Sequence, residues 1–245
     1  MDKTDERLLE QIAELHGVPE GSYNIRKNGE SIARNSNADI EIVSKADKSG
    51  IDIIVKPNVK NKSVHIPVLI TAGDFHDVVY NDFYIGKNSD VTIVAGCGIH
   101  NCGSGDSVHD GIHTFHLEEG AKVRYVERHV GSGDGSGGKN FFPVTKVFQK
   151  GNSVMIMETT QLGGVTDTVR KTTATLRGNA KLLVKEKLLT DGNERAVSDF
   201  DVKLLGADSS ADIISRSVAR GKSYQHFESR LIGKNRCFGH VECDG

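Results

Sequence analysis

The chain has 245 residues and a formal net charge of -2, with 37% hydrophobic and 26% charged residues, which predicts one soluble globular unit or a tightly joined pair. No apolar run approaches the roughly 20 residues that span a bilayer, and the acidic opening MDKTDERLLEQ is unlike a secretory signal, so we expect a cytoplasmic protein without a membrane partner. The 31 basic and 33 acidic residues leave no positive surplus, which argues against nucleic acid as the main partner.

Residues 1–38 are predicted to form an N-terminal helix followed by a linker. Apolar residues recur there at the spacing of one helix face, and acidic residues crowd the first turn. Gly17 and Pro19 close the segment. The apolar residues are Leu8, Leu9, Ile12, Ala13 and Leu15.

Residues 39–245 differ in composition and residue pattern and are predicted to form an all-β core. Short runs rich in Val, Ile and Thr, such as IDIIV and VTIVAG, alternate with Gly, Asn and Asp. No later stretch carries a convincing helical stripe. Within this region the glycine-rich GSGDGSGG lacks the Lys-Ser/Thr ending of a phosphate-binding loop, so it is interpreted as a mobile loop between strands.

A repeat is the most informative feature of the core. A glycine followed by small polar residues and then a strand recurs at a period of about 30 residues, which is typical of solenoids. With two strands per turn and no intervening helix, the repeat predicts a parallel β-helix, and a two-sheet antiparallel sandwich is the alternative. The repeated glycines are Gly86, Gly120, Gly151, Gly178, Gly206 and Gly233.

Three of the repeats share the pattern apolar, any, apolar, any, Glu, ending at Glu127, Glu158 and Glu186. Strand alternation places each glutamate on the face of its apolar partners, and Cys97 has the same phase in the preceding repeat. If that face is the interior, a thiol and a ladder of carboxylates point inward, where an unpaired charge is costly. The alternative is that the strand has reached a corner of the coil and the glutamates are solvated.

Cysteine and histidine concentrate in two segments, AGCGIHNCGSGDSVHDGIHTFH and the terminal CFGHVECD. Thiolate and imidazole are ligands that zinc and iron accept, although the spacing fits no closed zinc module, and any single cysteine could equally be a small core residue. The candidate metal ligands are Cys102, His109, His113, Cys237, His240 and Cys243.

The repeat also relates two distant thiols, Cys97 and Cys243. They follow the glycines of their repeats by 11 and 10 residues, so we expect them in one sheet, five coils and about 24 Å apart, which excludes a disulfide between them. The offset of one residue leaves open whether they face the same side.

Ordered blocks of the sequence resemble the SufB/SufD family, the scaffold components of SUF iron–sulfur cluster assembly. The blocks are Gly96-Cys97, Ser107–His109, EGAKVRY, RLIG and the terminal ECD, and the resemblance spans roughly residues 80–245. It implies a right-handed parallel β-helix that receives sulfur from a donor protein and supports a transient iron–sulfur cluster. It also implies a SufC-type ABC ATPase as a partner and a SufB/SufD-like partner or a homodimer, and it leaves flavin use open.

Residue by residue, the resemblance implies that Cys97 is the sulfur-entry cysteine and Cys243 the cysteine of cluster assembly, while His109 matches a family histidine. A scaffold without turnover of its own is therefore expected. We add His129, Glu127 and Glu158 as the expected lining of a sulfur path. The family continues beyond ECD, so the chain is expected to be truncated before a C-terminal helical segment. A purely structural SufD-like subunit and a metal-dependent β-helix enzyme are the alternatives.

Overall fold

The computed structural model describes all residues from 1 to 245 as one helix and a long coil of strands. Helix α1 spans Lys3–Ala13. The strands are β1 (Ser22–Lys27), β2 (Glu30–Asn35), β3 (Ile40–Ser44), β4 (Gly50–Val55), β5 (Lys60–His65), β6 (Val68–Ile70), β7 (Phe75–Ile85), β8 (Asp90–His100), β9 (Ser107–Leu117), β10 (Lys122–Ser132), β11 (Lys139–Phe141), β12 (Val144–Gln149), β13 (Val154–Leu162), β14 (Asp167–Leu176), β15 (Lys181–Thr190), β16 (Arg195–Leu204), β17 (Ser209–Ala219), β18 (Tyr224–Gly233) and β19 (Cys237–Asp244).

Successive strands alternate between two sheets, so the chain winds as a solenoid. The first sheet runs β19-β17-β15-β13-β10-β8-β5-β1-β2, and the second runs β18-β16-β14-β11-β9-β7-β4-β3. Every ladder is parallel except the hairpins β1–β2 and β3–β4. The predicted parallel β-helix is confirmed and the antiparallel sandwich is excluded. No helix has the length and apolar character needed to cross a bilayer.

One corner of each coil is set by a residue with positive φ. Asn88, Gly120, Asn152, Asn179 and Asp208 have φ values between 57° and 69°, a conformation that Gly, Asn and Asp tolerate best. The N–H of each donates to a carbonyl of the next coil, which stacks the corners. The true repeat is therefore this left-handed corner. Gly120 occupies the corner itself, whereas Gly86, Gly151, Gly178 and Gly206 precede it by one or two residues.

The interior divides into an apolar side and a polar side. The first half of each strand in the first sheet sends apolar side chains inward to meet the apolar second half of the strands in the second sheet, forming a core of 31 buried residues. The other halves of the strands send polar side chains into the remaining space. We call that side of the interior the polar lane. Its members are Cys97, Glu127, His129, Thr159, Gln161, Glu186 and Ser215 from the first sheet and Asp77, His109, His113, Thr168, Arg170 and Ser198 from the second.

Helix α1 covers the outer surface of the first sheet over β8 and β10. Asp2 caps its N-terminus with a capping box, and the chain leaves the helix at Glu14, where φ is 55°. The apolar face packs against Ile25 and Leu69. This close approach requires glycine on β8, since a Cβ at Gly96 would lie 2.4 Å from the Ile12 carbonyl oxygen. The predicted N-terminal helix is confirmed, and residues 22–35 of the expected linker form β1 and β2.

Candidate functional site

Cys97 lies at one end of the polar lane, on β8 with its side chain inward. Only 3% of the residue is exposed, and it lines a narrow cavity with room for about one water molecule. His109 and His129 line the same cavity. Burial, with a contribution from the negative charges of Asp77 and Glu127, raises the pKa of the Cys97 thiol well above its usual value. The thiol is therefore protonated at neutral pH.

The second sheet places two buried histidines opposite Cys97, His109 and His113. The Nδ1 atom of His109 lies 3.2 Å from an Asp77 carboxylate oxygen. The Nδ1 atom of His113 lies 2.7 Å from the Tyr125 hydroxyl. Burial lowers the pKa of His113 to about 4, so this imidazole is neutral at physiological pH.

A buried charge network occupies the middle of the polar lane. The Arg170 guanidinium donates to the Glu127 carboxylate, and its Nε atom lies 3.7 Å from Glu186. Burial opposes ionisation of Glu127, but the positive charge of Arg170 and a hydrogen bond from His129 outweigh it and hold the pKa of this carboxyl well below its usual value. The same two carboxylates overcome the burial of Arg170 and raise the pKa of its guanidinium. Glu127 and Arg170 are therefore charged inside the solenoid, and with Glu186 they connect three successive coils.

Cys243 lies at the far end of the polar lane. Its backbone pairs with Ser215, which pairs in turn with Glu186. The Ser215 hydroxyl donates to Glu186 over 2.6 Å, and these side chains with Cys243 line a cavity of about 310 Å³ at the last coil. Partial burial, together with Glu186 and Asp244, raises the pKa of the Cys243 thiol. This thiol is exposed, unlike Cys97.

The expected relation between the two thiols holds in part. Both lie in the first sheet and both face the polar lane, with five ladder steps between them. They do not share one column. Cys97 pairs with His129, whereas the column of Cys243 contains Glu127, so the columns are two residues apart along the strands. The offset arises because the preceding turns differ in length.

The expectation of three inward carboxylates in register is wrong at Glu158. This side chain points outward and its carboxylate accepts from Arg124 at 2.5 Å. Thr159 takes the inward position between Glu127 and Glu186. The reason is the corner, because Asn152 holds the left-handed position that Gly120 holds one coil earlier, which shifts the strand by one residue relative to the glycine.

The other predicted ligands do not converge. Cys102 is exposed on the loop after β8, away from His109 and His113 in the interior. On β19, His240 points outward to Asp212, while Cys237 packs against the core six residues before Cys243, about 20 Å along the strand. No group of three or more His, Cys, Asp or Glu side chains is arranged to hold a metal ion. All four cysteines are free.

Two members of the network escaped sequence analysis. Arg170 has the same strand phase as the apolar Ala174 and Leu176, which is the signal that marks it as inward-facing. Tyr125 was taken as an apolar position, but its buried hydroxyl donates to Glu127 over 3.0 Å and bonds to His113. Both side chains join the two sheets across the lane.

These features define a parallel β-helix with a thiol at each end of an enclosed row of polar side chains. The model of the family described as SUF system FeS cluster assembly, SufBD core domain, matches residues 72–236. The chain therefore belongs to the SufB/SufD family, as the resemblance predicted, and is a component of SUF iron–sulfur cluster assembly, a system of several partner proteins. A search of the curated proteins found no match.

Proposed function

We propose that the chain is a scaffold that receives sulfur at Cys97, conducts it along the polar lane and supports a nascent iron–sulfur cluster at Cys243. One observation carries this proposal. The two thiols face one enclosed lane, and buried polar side chains fill the coils between them. An ordinary solenoid interior would be apolar there, because each unpaired polar group costs free energy on burial.

The residues of the lane support sulfur transfer between thiols. A thiol must lose its proton to attack a persulfide, and burial raises the pKa of Cys97. His129 is the neighbour of Cys97 on the adjacent strand. Burial lowers the pKa of this imidazole, although Glu127 opposes the effect, so His129 is neutral and can accept the proton. Two electrons from a reductant convert Cys97–S–SH to Cys97–SH and hydrosulfide, and Arg170 supplies a fixed positive charge for this anion in the next coil.

Iron and sulfide are cargo in this proposal, and Cys243 is the one protein ligand that the lane presents to them. Because no three ligands converge within the chain, the remaining ligands come from a SufB/SufD-like partner or a second copy. We further propose a cytoplasmic location, a sulfur donor protein and a SufC-type ATPase as partners, and no catalytic turnover by the chain itself.

Anaerobic reconstitution with ferrous iron tests this function through the absorbance of the cluster. With free sulfide, Cys243→Ser should lose the cluster and Cys97→Ser should retain it. With a persulfide as the only sulfur source, and a reductant to supply the two electrons that convert sulfane sulfur to sulfide, both variants should lose it. Cys237→Ser is the matched control, because Cys237 packs against the core on the same strand. Full cluster yield in Cys243→Ser would remove Cys243 from the proposal.

A structural SufD-like subunit is the second candidate. The observation that favours it is the lack of a complete ligand set within the chain. Such a subunit should retain its complex and its cluster yield after Cys→Ser substitution at both Cys97 and Cys243. The same reconstitution, carried out with the partner present, separates the two functions.

A further inference from the structure

The exposed Cys102 thiol, which the proposed sulfur path does not use, forms a pair with an imidazole. Its Sγ atom lies 3.2 Å from His100 Nε2, and His100 Nδ1 lies 3.0 Å from the Ser132 hydroxyl. A thiol in hydrogen-bond contact with a base that is itself oriented by a third group is the arrangement of an activated nucleophile.

Ser132 holds the imidazole in position. Its hydroxyl lies 3.0 Å from His100 Nδ1 and can accept a hydrogen bond from Nδ1–H. With its proton on Nδ1, the imidazole presents an unprotonated Nε2 to the Cys102 thiol. His100 is therefore placed as the base of this pair.

The loop that carries Cys102 is held in place by its neighbours. The side chain of Asn101 is fully buried and donates to the Gly105 carbonyl over 2.8 Å. The loop that follows β10, which contains most of GSGDGSGG, stacks directly beneath, where Gly135 N–H donates to Asn101 O. A Cβ at Gly135 would lie 2.3 Å from the Gly103 carbonyl oxygen. The glycines of GSGDGSGG thus allow two loops to pack together and position the thiol.

We propose that Cys102, with His100 as its base, is a surface acceptor of sulfane sulfur from a persulfide, an inference that rests on the proposed function. Cys102 passes its proton to His100 Nε2 and attacks the outer sulfur of R–S–S–H. A bond forms between Cys102 Sγ and that sulfur, and the bond to the donor sulfur breaks. The leaving donor thiolate takes the proton from His100, which gives R–SH and Cys102–S–SH without an external oxidant.

The other thiols are less suited to meet a donor. Cys97 is 3% exposed, so a persulfide carried on another protein does not reach it in this conformation. Cys243 is exposed, but partial burial of its thiol, together with the negative charges of Glu186 and Asp244, raises its pKa and disfavours its thiolate. Cys102 is thus the exposed thiol that has a base rather than carboxylates beside it.

The test is the initial rate at which each cysteine gains sulfane sulfur from glutathione persulfide, measured by peptide mass spectrometry. We expect Cys102 to react at least tenfold faster than Cys243, as general-base assistance of this kind contributes roughly 100-fold or more. His100→Asn should slow Cys102 at least tenfold. Ser132→Ala should slow it less, and His116→Asn, on a half-buried histidine that stacks on Tyr84 and Phe148 and contacts no thiol, should not.

Two results would overturn the proposal: equal rates at Cys102 and Cys243, or an unchanged Cys102 rate in both His100→Asn and Ser132→Ala when circular dichroism shows each variant folded. The reconstitution with free sulfide bypasses Cys102. Loss of the Cys102 advantage with normal reconstitution refutes this pair alone, whereas full reconstitution of Cys243→Ser refutes the proposed function.

Discussion

The buried guanidinium of Arg170 allows a sharp test of the polar lane. Arg170→Met keeps most of the side-chain volume but leaves Glu127 and Glu186 without their shared cation. The side chains of Arg170 and Glu127 are 4% and 5% exposed, and breaking a pair this deeply buried typically costs about 3–5 kcal/mol of unfolding free energy. Hydroxyl donors still reach both carboxylates, so we expect a loss near the lower end, about 3 kcal/mol.

The pH dependence of the loss gives a second readout. In the wild type the depressed pKa of Glu127 contributes stability that is present above the unfolded pKa of about 4.3 and lost as the pH falls through the folded value. Without Arg170 the burial of Glu127 dominates and raises its pKa, so folding takes up a proton. The variant should therefore be most destabilised at pH 7 and recover towards pH 5.

Urea denaturation followed by far-UV circular dichroism measures both effects. Arg195→Met is the matched control, because Arg195 forms a 2.9 Å pair with Asp167 in which both side chains are at least a third exposed, and its loss should cost at most about 1 kcal/mol. Adding Glu127→Gln and Glu186→Gln to Arg170→Met should restore stability. Equal losses for Arg170→Met and Arg195→Met at every pH would refute the charged lane.

Two further predictions concern the helix contact and the buried imidazole. Gly96→Ala should displace α1 and cost about 1–3 kcal/mol of stability, seen as faster proteolysis of the N-terminus, because the Cβ would lie 2.4 Å from Ile12 O. Gly178→Ala, where the nearest atom is 3.5 Å away, is its control, and equal proteolysis of the two variants would contradict the contact. His113 should titrate near pH 4 by NMR. Its folded pKa lies below the unfolded value of about 6.5, so stability falls by up to about 3 kcal/mol as the pH drops between these values. His113→Asn should remove that part of the loss, and titration near 6.5 would contradict its burial.

The solenoid was predictable from sequence because its signal is repeated. Each coil needs a left-handed corner and an alternating strand. The same corner signal, an Asn close to a glycine, recurs in successive coils at Asn88, Asn152 and Asn179. The placement of Cys97 and Cys243 in one sheet follows from the same repeat.

Strand phase was the part that sequence could not settle. A shift of one residue at a corner exchanges the two faces of a strand, and Gly120 differs by one position from Gly151 in its role. Glu158 was therefore placed inside although it pairs with Arg124 outside. Arg170 was passed over because a charged residue is rarely buried without a partner, and its partners come from the other sheet.

The Cys102–His100 contact depends on a loop conformation that residue spacing does not encode. On a regular strand, His100 and Cys102 would face the same side. Cys102 lies beyond the end of β8, in an irregular loop, so strand alternation does not predict where its thiol points. Its course is set by Asn101 and by the glycine loop of the next coil, so the contact is visible only in three dimensions.

The most direct test of the account is a chase of sulfur from Cys97 to Cys243. Cys102→Ser protein carrying isotopically labelled sulfane sulfur at Cys97 is freed of donor, and ferrous iron and a reductant are added. The appearance of labelled sulfide in the cluster at Cys243 is followed by mass spectrometry at two protein concentrations a factor of ten apart. Transfer inside the solenoid predicts a first-order rate that does not change on dilution. A rate that falls in proportion to concentration, or sulfur that never reaches Cys243, would contradict conduction through the polar lane.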